Sequence, residues 1–374
     1  MFANSPIAIT GMAWTTPLGD DLDQTWARML AGETGLVKVP HNARMRNDLA
    51  AVVSSVPIDL PASARMTALG LPALRRALAE AKRDARQTDV LLVLGTSLGA
   101  FLEGEAASAP LQEWADALGR EVGAAREPVA VSTACSSGSD AVLVGAELIR
   151  AGVAACCVCG GVDVVTLSKR LAHSALGSLS PTTLRAFDVR HDGTLLGEGA
   201  GFIVLESKPR PDAPPLGYLR GIGAANDAAG MTTPDAAGRG ARFALERSLG
   251  DAGLTAEAIG LINAHGSGTM LNDVTEAKAF AEVFGTTRGA RPVVFATKGN
   301  FGHSLGATGI LEAIAVLLAL RTGRVPPIVG LEQPDPDMHF PLPQGQAMPI
   351  DAQVGLSLTL GFGGFDTSLI LERA

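Results

Sequence analysis

One cysteine and two histidines stand where chemistry is easiest to place. Cys135 lies in STACSSG (132–138), between an apolar strand-like run and a helix-like run. Backbone N–H groups at a helix N-terminus favour a thiolate, and the thiolate is the nucleophilic form. His265 follows a strand-like run in INAHGSGT (262–269), with Gly266 directly after it. His303 sits in GNFGHSLGATG (299–309), again between strand-like and helix-like runs, and Lys298 ends the strand before it. Glu276 and Glu312 are candidate partners for the Lys298 charge. Each residue also has a plain reading: a buried structural cysteine, a satisfied polar histidine, an ordinary buried ion pair.

Two G-x-S-x-G strings, GTSLG (95–99) and GHSLG (302–306), match the nucleophile-elbow pattern of hydrolases. After Ser304 the only histidine is His339, two residues past Asp337, so acid and base would share one short loop. No HGGG-type oxyanion motif precedes Ser97. A hydrolase is therefore disfavoured.

The elements that must hold these residues alternate. Runs 7–10, 90–94, 129–132, 155–159 and 202–205 read as buried strands, with helices at 74–82 and 140–150. In the second half, 218–222, 261–263, 293–297, 356–360 and 368–371 read as strands, and 242–252 and 309–321 as helices. Strands alternating with helices indicate an α/β fold. The strand–turn–helix around Cys135 is repeated around Lys298 and His303. The halves thus read as copies, residues 1–207 and 208–374, joined at the Pro-rich KPRPDAPP (208–215) and interlocked in one globular unit.

Composition narrows the class. The 374 residues are 47% hydrophobic and 18% charged, which suits a large buried core and excludes disorder. Net charge is −8 with no basic run, so no nucleic-acid footprint is expected. All four cysteines lie at or before Cys159, three of them in one apolar run, with no zinc spacing; reduced thiols and a cytoplasmic home are expected. The N-terminal residues show no signal-peptide pattern. The apolar run 310–320, interrupted by Glu312, is too short to cross a bilayer.

With STACSSGSDA, NAHGSGTMLND, TKGNFGHSLGATG and LGFGGFD in this order, the chain resembles β-ketoacyl-acyl carrier protein synthases, close to types I and II. The resemblance runs from the first strand to the last. It implies a thiolase-like duplicated αβαβα sandwich, usually dimeric. By position it makes Cys135 the acyl-accepting nucleophile, His265 and His303 the active-site histidines, and Lys298 the active-site lysine with Glu312 its partner. Asp273 and Glu276 fall at supporting acidic positions. Phe362 falls at the gating phenylalanine, whose N–H joins that of Cys135 in an oxyanion hole. The implied reaction is a decarboxylative condensation of an acyl-Cys with a malonyl thioester. It calls for no metal or redox cofactor, because phosphopantetheine arrives on the acyl carrier protein. A homodimer, or a heterodimer with a related subunit, is implied as well. The competing expectation is a non-catalytic chain-length-factor-like partner, which would lack the nucleophile.

Departures from the family pattern bear on substrate. FDVRHDGT (187–194) has His191 for an arginine and Thr194 for a phenylalanine, and GFGGFD (361–366) has Phe365 and Asp366 for a small polar pair. These changes lead to the expectation of a pocket reshaped for a polyene, branched or aryl-primed chain, with Phe365 partly refilling the volume lost at Thr194. A carrier-docking patch is expected at Arg65, Arg75, Arg76, Lys82 and Arg83, with Arg44 and Arg46 nearby.

Overall fold

A helix apolar on every side must be surrounded by protein or lipid. Residues 308–320 form most of such a helix, and every one of them is buried. The stretch Leu305–Thr322 is long and apolar enough to cross a membrane, longer than the sequence suggested, but 89% of it is buried inside the fold. It is a core helix, and the rest of the architecture is built around it.

The computed structural model describes residues 5–103, 111–285 and 291–374. The first half runs β1 (Ile7–Thr15), α1 (Leu22–Leu30), a ribbon of β2 (Leu36–Lys38) and β3 (Leu49–Ala51), α2 (Ala62–Glu80), β4 (Val90–Gly95), α3 (Gln112–Val122), β5 (Val129–Val131), α4 (Ser137–Arg150), β6 (Cys156–Asp163), α5 (Leu167–Ala175) and β7 (Gly199–Glu206). The second runs β8 (Gly217–Asn226), α6 (Arg239–Ala252), β9 (Leu261–Asn263), α7 (Met270–Phe284), β10 (Val293–Phe295), the short α8 (Lys298–Phe301), α9 (Thr308–Thr322), a ribbon of β11 (Arg324–Val325) and β12 (Met348–Pro349), β13 (Val354–Gly361) and β14 (Phe365–Arg373).

Ten strands are hydrogen-bonded in the continuous order β10-β9-β13-β14-β8-β1-β7-β6-β4-β5, and the five strands of each half form one sheet layer. Counted within each half, both read third, second, fourth, fifth, first from the outer edge inward. The first strands, β1 and β8, meet antiparallel at the centre. The duplication legible in the sequence is thus a repeated topology. The Pro-rich segment 208–215 carries the chain from β7 to β8, which flank β1 on opposite sides.

Helices α4 and α9 pack on one another, and each also reaches strands of the opposite half, α4 on β14 and α9 on β7. Helix α2 covers the outer side of β1 and β7, and α6 covers β8 and β14. The layers are therefore helix, sheet, helix, sheet, helix: a duplicated αβαβα sandwich. Helix α2 begins twelve residues before the sequence-based start at 74 because it continues through Pro72, on an exposed face.

The expected docking patch is only partly a surface: Arg44, Arg46, Arg75 and Lys82 are exposed, whereas Arg65, Arg76 and Arg83 are drawn into ion pairs. Arg65 is 2% exposed and paired with the fully buried Glu198. Arg83 pairs with buried Glu206 at 2.6 Å and Asp89 at 3.2 Å, and Arg76 with Asp20 at 2.9 Å. These guanidiniums tie α2 and its C-terminal turn to the sheet; charged residues at helical spacing here face inward as well as outward.

Candidate functional site

The Ser-rich string around Cys135 closes a tight turn on itself. Ala134 is held at φ +52°, a left-handed conformation uncommon for a residue with a Cβ. Ser137 Oγ accepts from Thr133 N at 3.0 Å and donates to Ala134 O at 2.6 Å. Ser139 Oγ donates to Ser136 O at 3.0 Å, and Ser136 Oγ crosses to Phe365 O at 2.6 Å. The serines satisfy backbone groups that a sharp strand-to-helix turn leaves unpaired. Cys135 is left at the entrance to α4, 6% exposed.

The repeat reproduces this turn. Leu305, at φ +51°, opens the same one-turn 3-10 segment ahead of α9, so Gly306 occupies the place that Cys135 has in the first copy. A Cβ there would lie 2.2 Å from Ser97 N. The two G-x-S-x-G strings therefore pack on each other. Ser97 N, Ser97 Oγ and Gly306 N all donate to Asp163 Oδ2, at 2.9, 2.5 and 3.0 Å. Asp163 is balanced by buried Lys169 at 2.5 Å. The expectation that Ser97 and Ser304 are not nucleophiles fits: Ser97 is a tether, and Ser304 is buried beside His303.

His265 and His303 converge from β9 and from the turn before α9, with ring centroids 5.2 Å apart. Their tautomers follow from their partners. Leu305 N donates to His303 Nδ1 at 3.0 Å, and Lys298 Nζ lies 3.3 Å from His265 Nδ1. With Nδ1 accepting, each neutral ring carries its proton on Nε2. Burial, and then the Lys298 charge, hold both imidazoles well below their ordinary pKa, so both are neutral at pH 7.

Lys298 is 1% exposed and bonds Glu312 at 2.5 Å, and it also donates to His265 O. Burial pushes Glu312 up to about 7 even so. Of the two carboxylates named for Lys298, the contact is with Glu312. Glu276 instead accepts from His265 N and Gly266 N, both at 2.7 Å, and from Asn272 Nδ2 at 2.7 Å. It fixes the turn that presents His265, and burial raises it to about 8. Asp273 accepts from Phe187 N at 2.8 Å and Gly268 N at 3.1 Å, and faces His191 Nδ1 at 3.2 Å, so His191 takes up the place of a cationic partner.

Phe362 N–H donates to Cys135. Burial nevertheless pushes the Cys135 thiol up to about 11, against the pull of that N–H and of Lys298. The sequence pointed to a thiolate; desolvation outweighs the helix N-terminus, and the resting group is a thiol. Cys135, His265, His303, Thr194 and Phe362 line one small cavity of about 70 Å³, together with His173. Asp366 lines it too, but Phe365 does not: its side chain is 38% exposed. It therefore does not refill the volume at Thr194, which still faces the cavity.

Sequence reasoning missed His173. Its helix α5 carries no strand-end turn, and the only signal was its scarcity, one of six histidines in the chain. Its ring stacks on Phe362, with centroids 5.7 Å apart and planes 21° off parallel.

Comparison with known proteins places the chain in a family. The family description "Beta-ketoacyl synthase, N-terminal domain" fits residues 4–210, and "Beta-ketoacyl synthase, C-terminal domain" fits residues 216–332. The chain is 28% identical to a Staphylococcus aureus 3-oxoacyl-[acyl-carrier-protein] synthase 2, covering all of this chain and 99% of that one. Among solved structures, a β-ketoacyl synthase from Burkholderia phymatum superposes with TM-score 0.85 at 28% identity, covering 99% of each chain. The ishigamide ketosynthase/chain length factor superposes with TM-score 0.88 at 28% identity, over 99% of this chain and 100% of that one.

Proposed function

Since the chain belongs to the β-ketoacyl synthase family, we propose that it joins an acyl chain held on Cys135 to a malonyl-acyl carrier protein, with loss of carbon dioxide. The observation that carries this reading is the convergence of Cys135 with two neutral imidazoles whose Nε2–H groups have no hydrogen-bond partner among the described residues.

In the first half-reaction Cys135 attacks the carrier thioester. The thioester carbonyl carbon bonds to the Cys135 sulfur, its bond to the pantetheine sulfur breaks, and the proton given up by the Cys135 thiol ends on the departing pantetheine thiol. The N–H groups of Cys135 and Phe362 face the carbonyl oxygen as charge develops. In the second, malonyl thioester loses carboxylate, and His265 and His303 donate to the enolate oxygen. The carbanion attacks the acyl-Cys carbonyl and expels the Cys135 sulfur. Burial and then the Lys298 charge keep both rings neutral, Glu312 balances Lys298, and Glu276 and Asp273 position the turns. No metal or redox group enters these steps; phosphopantetheine is part of the substrate. A cytoplasmic enzyme acting with an acyl carrier protein, as a homodimer or beside a related subunit, follows from the same reading. The ketosynthase/chain length factor relative supports the pairing.

The test is incubation with an acyl carrier thioester and mapping of the adduct by mass spectrometry. Cys156, Cys157 and Cys159 are fully buried in β6, so the acyl group should map to Cys135 alone. Acylation persisting in Cys135→Ala refutes the assignment; no adduct on the wild-type protein favours a non-catalytic partner subunit.

A further inference from the structure

Cys135, Phe362 and His173 line two cavities at once. One is the catalytic cavity already described. The other, of about 320 Å³, opens to the surface beside Cys135 and is lined by the exposed Leu98, Leu102 and Leu176 and by the buried Leu305. At about 30 Å³ per water-sized group it has room for roughly ten such groups. The stacked pair His173–Phe362 stands at the neck between the two.

The polar side chains of this second chamber are committed elsewhere, with one exception. Lys169 Nζ is held by Asp163 Oδ1 at 2.5 Å and Val164 O at 3.2 Å. Ser97 Oγ donates to Asp163 and Ser132 Oγ to Ser97 O, at 2.5 and 2.6 Å. His173 Nδ1 meets Ser178 Oγ at 3.0 Å, and that hydroxyl donates to His173 O at 3.2 Å. Nδ1 is committed to Ser178 in either tautomer, which leaves Nε2 as the open position of the ring, an acceptor when Nδ1 carries the proton and a donor when Nε2 does. Among the described residues nothing is hydrogen-bonded to Nε2. The apolar groove thus has a single uncommitted polar side-chain atom at its mouth, beside Cys135.

We propose that His173 is a specificity-determining residue, whose Nε2 forms a hydrogen bond with a hydroxyl near the thioester end of the acyl chain on Cys135, a hydroxyl being able to donate to or accept from it. The chain selected is a hydroxyacyl group with an otherwise apolar tail. A plain alkyl chain threading the same neck covers Nε2 and leaves it unpaired, a loss that hydroxyl-reading sites turn into strong discrimination. Burial and the Lys169 charge hold His173 down at about 4, so the ring stays neutral across the working range of pH. The inference rests on Cys135 being the acyl acceptor.

The test compares rates of Cys135 acylation by 3-hydroxyoctanoyl and octanoyl carrier thioesters in the full-length protein. The ratio is the readout, because a general loss of activity cancels from it. Wild type should favour the hydroxyacyl chain by about tenfold or more. His173→Phe should bring the ratio close to one. His173→Gln, which keeps a neutral donor and acceptor, should hold a ratio above that of the Phe variant. A wild-type ratio at or below one, a ratio unchanged in His173→Phe, or equal ratios in the Gln and Phe variants would each overturn the inference. If neither chain acylates Cys135, the nucleophile assignment itself falls, and the inference with it.

Discussion

Asp366 offers a test of how the cavity is held. The family pattern has a small polar residue there, and this chain buries a carboxyl, 2% exposed. Burial first, then the charges of Asp227 and Asp235, push its pKa up to about 8 from an ordinary 3.8. Between those values the folded protein keeps a proton that the unfolded chain has given up. Stability must therefore fall as pH rises from about 4, and level off above about 8. At about 1.4 kcal/mol per pH unit, the burden is about 2 kcal/mol at pH 5 and about 5 kcal/mol at pH 8. Asp366→Asn has the same shape and cannot ionise, so it should remove that slope. Urea unfolding of both proteins at pH 5 and pH 8 gives the comparison. The variant's advantage should grow by about 3 kcal/mol between the two, through the midpoint rather than the slope of the urea transition. An advantage equal at the two pH values would refute the reasoning, because only a titrating group makes it grow.

The remaining predictions concern the site and its supports. His265→Ala and His303→Ala should retain some Cys135 acylation but slow malonyl decarboxylation about 100-fold or more, since each removes one donor to the enolate; unchanged carbon dioxide release in both would count against the assignment. Glu312→Leu strands a buried Lys298 charge and should cost about 3–5 kcal/mol in urea unfolding. Lys298→Met should cost less, because Glu312, already raised to about 7, can take a proton; the opposite order would sink the argument. Thr194→Phe places a ring against a cavity of about 70 Å³, so it should destabilise by about 1–3 kcal/mol and shift chain preference together. A stable variant with an unaltered acyl profile would show that position 194 does not shape the pocket.

Much of this protein was legible from its residues alone. The strand-to-helix turns around Cys135 and His303 announce themselves through serine, glycine and an abrupt change of apolar period, all local signals. The duplication shows as the same order of elements twice, and the order of the four motifs marks the family. The sequence could not say which carboxylate meets Lys298. Glu276 and Glu312 both lie on helices that follow strand ends, and only packing brings Glu312 to 2.5 Å while turning Glu276 to the backbone of His265. Nor could it show that Arg65 points inward to Glu198, because a charged residue on an amphipathic helix reads the same on either face until the sheet beneath it is placed. The state of Cys135 was likewise decided by tertiary structure: a helix N-terminus is a local feature, whereas desolvation depends on everything that closes over the sulfur. His173 belongs to the same class. Nothing in α5 marks it, and its place between two cavities exists only because α5 packs beside a turn nearly two hundred residues further along the chain, where Phe362 waits to stack on it.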